Sequence, residues 1–292
     1  MEKRKKRFGD RPEGRKLRSL DALNGFTPFI MKKRSDATNY FEGRVDITEA
    51  NRYLRKKRLD GEKNMGFLHL FIAAYVRTVS QLPGINRFIA GQRTFARYDV
   101  EMVMTVKKTM AVDGSETTFT AHFDQGATLS EVYEQINREI EFIKKGEEDT
   151  GTDKVAGALM KLPRMVLRFA IGVLKLLDYY GLLPKSLLHI SPFHGSIIIT
   201  DLGSLGIPPV YHHIYDFGTL PVFFAFGAKY REYILNRKGE MESHYFIDYK
   251  VSTDERICDG YYYAKAFKLM MSYLKNPEKL EVPPEKIVED VD

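Results

Sequence analysis

Residues 196–207 read Ser-Ile-Ile-Ile-Thr-Asp-Leu-Gly-Ser-Leu-Gly-Ile, and residues 252–261 read Ser-Thr-Asp-Glu-Arg-Ile-Cys-Asp-Gly-Tyr. The first is a short apolar run closed by Leu202-Gly203, the pattern of a buried strand entering a turn. The second ends on Asp259-Gly260 ahead of an amphipathic stretch to about Lys275, which is how a capped helix begins. The second motif opens at Asp254, 54 residues beyond Thr200.

Outward from these segments, strand patterns occupy 40–47, 100–110, 116–123, 196–200, 210–215, 221–227 and 245–252. Asp113-Gly114 is the turn between the second and third of these. Helical patterns occupy 49–58 and 65–82. Thr128 with Glu131 three residues on is a capping box. It opens a helix with Val132, Ile136, Ile140 and Ile143 on one stripe and a stop at Gly146. Strands and helices intersperse without a βαβ rhythm. That predicts the α+β class, one sheet-centred domain with helices on a face.

The chain is 43% hydrophobic and 12% aromatic, ample for a packed core. Cys258 is the lone cysteine, so no intrachain disulfide is available, which fits a reducing cytoplasm. No apolar stretch follows the charged N-terminus as a secretory signal would. The net charge of +6 resides in residues 1–18, which hold nine Lys/Arg against three acids and leave 36 of each sign elsewhere. Residues 1–19 read as a basic, flexible tail and residues 278–292 as a charged, extended one. With a neutral body and no recognition motif, nucleic acid is not an expected partner. Phosphate-loop and dinucleotide-binding signatures are missing from the sequence, as is a cysteine-based metal site. His212 and His213 are adjacent, so in a strand they would point to opposite faces and not share an ion. Asp153-Lys154 imitates a lipoate acceptor but adjoins an apolar helix, so no lipoyl attachment site is read there.

Residues 152–190 form an apolar helical region. Within Leu162–Leu183 the longest uncharged run, 169–174, falls far short of the about 20 residues a membrane span needs. Lys161, Arg164, Arg168, Lys175 and Asp178 share one helical stripe, and the rest of the surface is apolar. Three readings stay open: a helix buried within or between subunits, a helix lying in a membrane interface, or the wall of an acyl tunnel. The interfacial reading pairs residues 1–18 with 161–178 as two membrane contacts. It would place this cytoplasmic chain at the inner face of the membrane.

The two opening motifs resemble the catalytic domain of the 2-oxoacid dehydrogenase acyltransferases and, more distantly, chloramphenicol acetyltransferase. In that superfamily a strand Ser or Thr ahead of a Leu-Gly turn precedes, by some 50 residues, a His-x-x-x-Asp-Gly motif opening the last helix. The resemblance covers residues 20–277, with 152–190 as an insertion. It implies a two-layer α+β sandwich, a homotrimer with active sites between subunits, and coenzyme A as a substrate. It further implies that Thr200 donates a hydrogen bond to the oxyanion and that Asp259 is a structural acid, with Arg34 as its candidate partner.

The departure is at the base, because the position of the family's histidine is Glu255. A free carboxyl titrates near 4.3 and a thiol near 8.5, a mismatch of about 4 units or roughly 6 kcal/mol. Two functions follow: an acyltransferase with Glu255 as its base, or a non-catalytic trimer that binds or scaffolds. His122 and His194 are further imidazoles with a route toward the channel. The lipoyl and subunit-binding domains of a complete complex acyltransferase do not fit within residues 1–25.

Overall fold

The structure, a computed structural model, describes residues 5–107, 116–145 and 151–292. The first half of the chain supplies β1 (Gly14–Lys16), α1 (Ala22–Ile30), β2 (Thr38–Asp46), α2 (Thr48–Leu59), α3 (Phe67–Gln81), β3 (Arg87–Ala90), β4 (Arg93–Arg97), β5 (Val100–Lys107), β6 (Glu116–Phe123) and α4 (Leu129–Lys145). The second supplies α5 (Gly151–Met160), α6 (Arg164–Tyr180), α7 (Lys185–Ile190), β7 (Ile197–Asp201), β8 (Val222–Phe226), β9 (Tyr230–Leu235), β10 (Met241–Asp254) and α8 (Gly260–Lys275).

The main sheet runs β2-β10-β8-β7-β5-β6, with β9 paired to the start of β10. Strand β7 is parallel to β5 and β8, and the other pairs are antiparallel, so the sheet is mixed. Alternation sorts its residues. Ile197, Ile199, Val222, Phe224 and Val251 join the core under α3 and α8. Val103, Ile198 and Phe223 point the other way, where Ile214 and Leu220 of the following loop cover them. The α+β sandwich with helices on one face is therefore present as the pattern predicts. A small sheet, β1-β4-β3, stands beside it.

Helix α8 shows why its sequence folds as it does. The Asp259 carboxylate accepts from the Tyr262 amide at 2.8 Å and caps the first turn. Tyr263, Ala266, Phe267, Met270 and Leu274 then recur on the buried face. The capping box at Thr128 and Glu131 also forms, through Thr128 N to Glu131 Oε2 at 2.7 Å.

Three expectations change. Residues 210–215 are a loop rather than a strand. Their chain passes over the helix-free face, where the Ser252 hydroxyl donates to the His212 carbonyl. The terminal segments are docked rather than free. Arg11 is buried and bonds Glu13 Oε1 and Asp178 Oδ1, each at 2.7 Å. Arg15 donates to the carbonyls of Asp290 and Val291, and Arg87 pairs with Asp290. Cations that would repel one another in an isolated tail are thus matched with acids and carbonyls brought from other elements. Strands β1, β3, β4 and β9 and helix α1 join the elements expected from the pattern. The Asp113-Gly114 turn and the Gly146 stop lie outside the described residues.

Candidate active site

Thr200 sits near the end of β7, half-buried, on the helix-free face with Ile198. Its hydroxyl makes no hydrogen bond among the described residues. Just beyond it the chain turns sharply. Ser204 N donates to Asp201 Oδ1 at 3.2 Å, and Leu202 N donates to the Phe226 carbonyl at 2.9 Å. A Cβ on Gly203 would lie 2.7 Å from the Gly227 carbonyl oxygen, so the Leu-Gly turn needs a glycine there.

The second motif leaves β10 in a tight turn, and only part of it faces inward. Asp254 is fully buried and receives a two-pronged bond from Arg256, Nε to Oδ1 at 2.8 Å and Nη2 to Oδ2 at 2.7 Å. Arg34 Nε lies 3.6 Å from Asp254 Oδ2, while the rest of its guanidinium donates to the carbonyls of Ile89, Tyr215, Asp216 and Gly218. Burial pushes Arg34 down to about 10, with Asp254 partly offsetting it. The acid that holds Arg34 is therefore Asp254, not Asp259. Asp259 is exposed and serves as the cap of α8. Strand alternation carries Asp254 inward, whereas Asp259 lies past the turn, where the helix begins.

Glu255 is exposed. Its amide donates to the Ala37 carbonyl at 2.8 Å, and its carboxylate makes no bond among the described residues. Thr200 is in register with Ala225, and Ala225 with Lys250, which lies five residues before Glu255. At about 3.3 Å per residue and about 4.8 Å per strand, the two positions lie on the order of 20 Å apart in one chain. A single copy does not bring them together.

From the sequence, His212 is weighed only as a metal ligand paired with His213. The His212 ring stacks on Phe223 at 4.2 Å with an interplanar angle of 6°, on the same sheet face as Thr200. Its Nε2 is buried without a partner among the described residues, and burial pushes its pKa down, with His213 adding to the effect. The signal in the sequence was the proline pair Pro208-Pro209 ahead of it, which favours a covering loop over a strand. His194 is instead buried beside Asp178, Nε2 to Oδ1 at 3.4 Å, and its Nδ1 lies 2.7 Å from the Ser191 hydroxyl. His122 Nε2 lies 3.4 Å from His189 Nδ1. Cys258 is buried, which raises its thiol pKa.

Asp153 and Lys154 lie in the first turn of α5, where the Thr117 hydroxyl donates to Asp153 at 2.9 Å. Among the described residues no group of three His, Cys, Asp or Glu is placed to hold a metal ion. A cavity of about 610 Å³ lies between the terminal segments and the β4–β5 region. Neither Thr200 nor Glu255 lines it.

No protein-family model matches the chain, and no curated protein is significantly similar to it in sequence. Solved structures do match over nearly its whole length. A probable dihydrolipoamide acetyltransferase from Listeria monocytogenes is 13% identical, with 93% of this chain and 99% of that one covered and a TM-score of 0.55. Dihydrolipoamide acetyltransferase from Azotobacter vinelandii is 14% identical, over 89% and 88% of the two chains, with a TM-score of 0.52. A chloramphenicol acetyltransferase is 13% identical, over 88% and 96%, with a TM-score of 0.51. The fold is thus that of the chloramphenicol acetyltransferase-like α+β domains. More particularly, it is the fold of the catalytic domain of the 2-oxoacid dehydrogenase acyltransferases.

Proposed function

We propose that this chain transfers an acyl group between coenzyme A and a second substrate, at a site shared by neighbouring copies in a homotrimer. Thr200 of one copy and Glu255 of the next meet across the contact. The acceptor's thiol or hydroxyl gives its proton to the Glu255 carboxylate and attacks the thioester carbonyl carbon. The resulting oxyanion accepts a hydrogen bond from the Thr200 hydroxyl. Collapse breaks the carbon–sulfur bond, and the leaving thiolate takes the proton back from Glu255.

The observation that carries this reading is the half-buried Thr200 hydroxyl, unbonded among the described residues and set on the helix-free face of the sheet in an acyltransferase fold. The on-the-order-of-20 Å separation in one chain supports the shared site, because it leaves each residue without the other until a second copy arrives. Exposed Leu205, Ile207 and Val210, in the loop that follows β7, offer the apolar surface such a contact needs. In the Azotobacter protein a serine, a histidine and an asparagine have been studied in the catalytic mechanism. Thr200, Glu255 and Asp259 are the residues we set against them. Here the third is a helix cap.

A second reading, a non-catalytic binding or scaffold trimer, is favoured by the Glu255 carboxylate, which no described residue of its own chain positions. Turnover of acyl-coenzyme A decides between the two. Thr200→Ala is expected to lower kcat by about 10²–10³, and Glu255→Gln to abolish the remaining proton transfer. Wild-type turnover indistinguishable from the uncatalysed rate, in a protein confirmed as a trimer by light scattering, selects the second reading.

A further inference from the structure

Two helices of this molecule are apolar on a side that no described residue covers. In α6 the only buried residue is Asp178. Met165, Phe169, Leu176 and Tyr180 fall within one arc of about 60° on the helix, and all are exposed, Met165 and Phe169 by 74%. In α1, Leu23, Phe26 and Ile30 form a second exposed apolar stripe, with Ile30 at 71%. Both helices reach the same turn between β3 and β4. The Tyr179 hydroxyl donates to Gln92 Oε1 at 2.8 Å, and the Gln92 amide faces the Pro28 carbonyl at 3.5 Å. The two stripes thus belong to neighbouring elements. An apolar surface of this extent on a folded chain marks an interaction site.

Apart from Asp21, the exposed cap of α1, the charges beside the two stripes are cationic. Arg164, Arg168 and Lys175 form the strip of α6 next to its apolar arc, and exposed Lys32 and Lys33 follow α1. Asp178 is the only acidic residue of α6, and it is turned inward. Burial raises its pKa, but His194 and Arg11 more than offset this and hold it below the usual carboxylate range. Residues 22–34 contain no acid at all. An apolar arc bordered by cations, with no exposed anion on either helix, complements an anionic lipid surface. The chains take the apolar side chains, and the headgroups take the lysines and arginines. A second copy is a poor match, since a two-fold contact through this face would set cations against cations. Among the described residues no helix is long and apolar enough to cross a membrane, so the contact is peripheral.

The geometry points to α1 and α6 as a membrane-docking face specific for anionic lipid. This revises the expectation drawn from residues 1–18. In the described part of that segment, Arg7, Arg11 and Arg15 are paired within the chain, and α1 takes its place as the second contact. The turn that bears Glu255 is bonded to the segment leaving α1, through Arg256 Nη1 to the Met31 carbonyl at 3.0 Å. Docking would therefore bring that turn toward the lipid. The docking itself does not depend on acyl transfer.

The test is flotation of the full-length chain with vesicles of phosphatidylcholine, alone or with about one-third phosphatidylglycerol. Light scattering of the same samples without lipid runs in parallel. The wild type is expected to float with the mixed vesicles and not with phosphatidylcholine alone, and high salt should weaken binding. The double variant Phe169→Asp, Leu176→Asp should lose binding, and Arg164→Glu, Arg168→Glu should weaken it at least about tenfold. Unchanged melting curves would show that the fold is retained. If the first double variant misfolds, the arginine variant still decides the matter. The proposal is overturned if the wild type stays at the bottom of the gradient or if both variants float as it does. It is also overturned if the apolar variant lowers the native mass without any lipid binding, which would mean that another copy covers the face.

Discussion

Helices α3 and α6 are of similar length and similarly apolar, yet they have opposite surroundings. In α3 every residue from His69 to Ser80 is buried, whereas in α6 only Asp178 is. The difference lies in the neighbours rather than in the helices. α3 lies on the main sheet, where the Phe71 ring packs at a tilt against Phe224 at 4.5 Å and Phe226 at 5.6 Å, and α8 and α4 flank it. α6 has the edge of the small sheet on one side and solvent on the others. Each carries a buried ionic residue that ties it to a terminal segment. Arg77 of α3 donates to the carbonyls of Lys279 and Val282, and Asp178 of α6 receives Arg11. The ionic residue in an apolar helix therefore marks the side facing protein, and the apolar residues alone do not.

The sharpest way to break this comparison is a matched pair of truncations. Phe71→Ala removes a ring from a closed core and should cost about 3–5 kcal/mol. Phe169→Ala removes one already in solvent and should stay within about 0.5 kcal/mol. Urea unfolding of both variants, with m compared, measures the gap. Equal losses would show that α6 is covered in solution. Asp178→Ala comes next, at about 1–3 kcal/mol, because it strips buried Arg11 of one of its two carboxylates and leaves Glu13 as the other. If α6 is held by that contact as the geometry indicates, proteolysis of the variant should begin within residues 160–182. Arg11→Ala should give the same pattern.

The contrast also explains what was legible in the sequence. The strand around Thr200, the last helix and the long helix at 65–82 were readable, since each buries a regular face and periodicity records it. The Asp254 and Asp259 roles were not. Which of two acids five residues apart turns inward depends on where β10 ends, and Arg34 and Arg256 reach that spot from elsewhere in the chain or from the turn itself. The stripe at Lys161–Asp178 was legible as one face, but the inward turn of Asp178 was not. Asp178 sits at its edge, where a rotation of about 40° separates solvent from a salt bridge. Strands β1, β3 and β4 are too short to register a period, and β1 holds only Gly14, Arg15 and Lys16. The basic tail looked free because its partners, Asp178, Asp290 and Asp292, lie far along the chain.

The smallest effect concerns the start of α3. His69 is buried in the first turn, and its Nδ1 accepts from the Gly66 amide at 3.1 Å. Burial lowers its pKa from the ordinary 6.5, and a ring nitrogen that accepts from an amide would have to give up that bond to take a proton. A lowered pKa means that the folded chain prefers the neutral ring, so the unfolded chain binds the proton first as pH falls. The stability His69 contributes is therefore complete above about 6.5 and is lost as pH drops through its folded value. Urea midpoints measured from pH 7.5 down to about pH 5 should show this slope. His69→Gln keeps an acceptor but cannot titrate, and should flatten it. The surface of α6 carries no histidine, so its exposed face should show no matching response. A slope that survives in the Gln variant would assign the acid sensitivity to other groups, with His212 and His122, also lowered by burial, the next to replace.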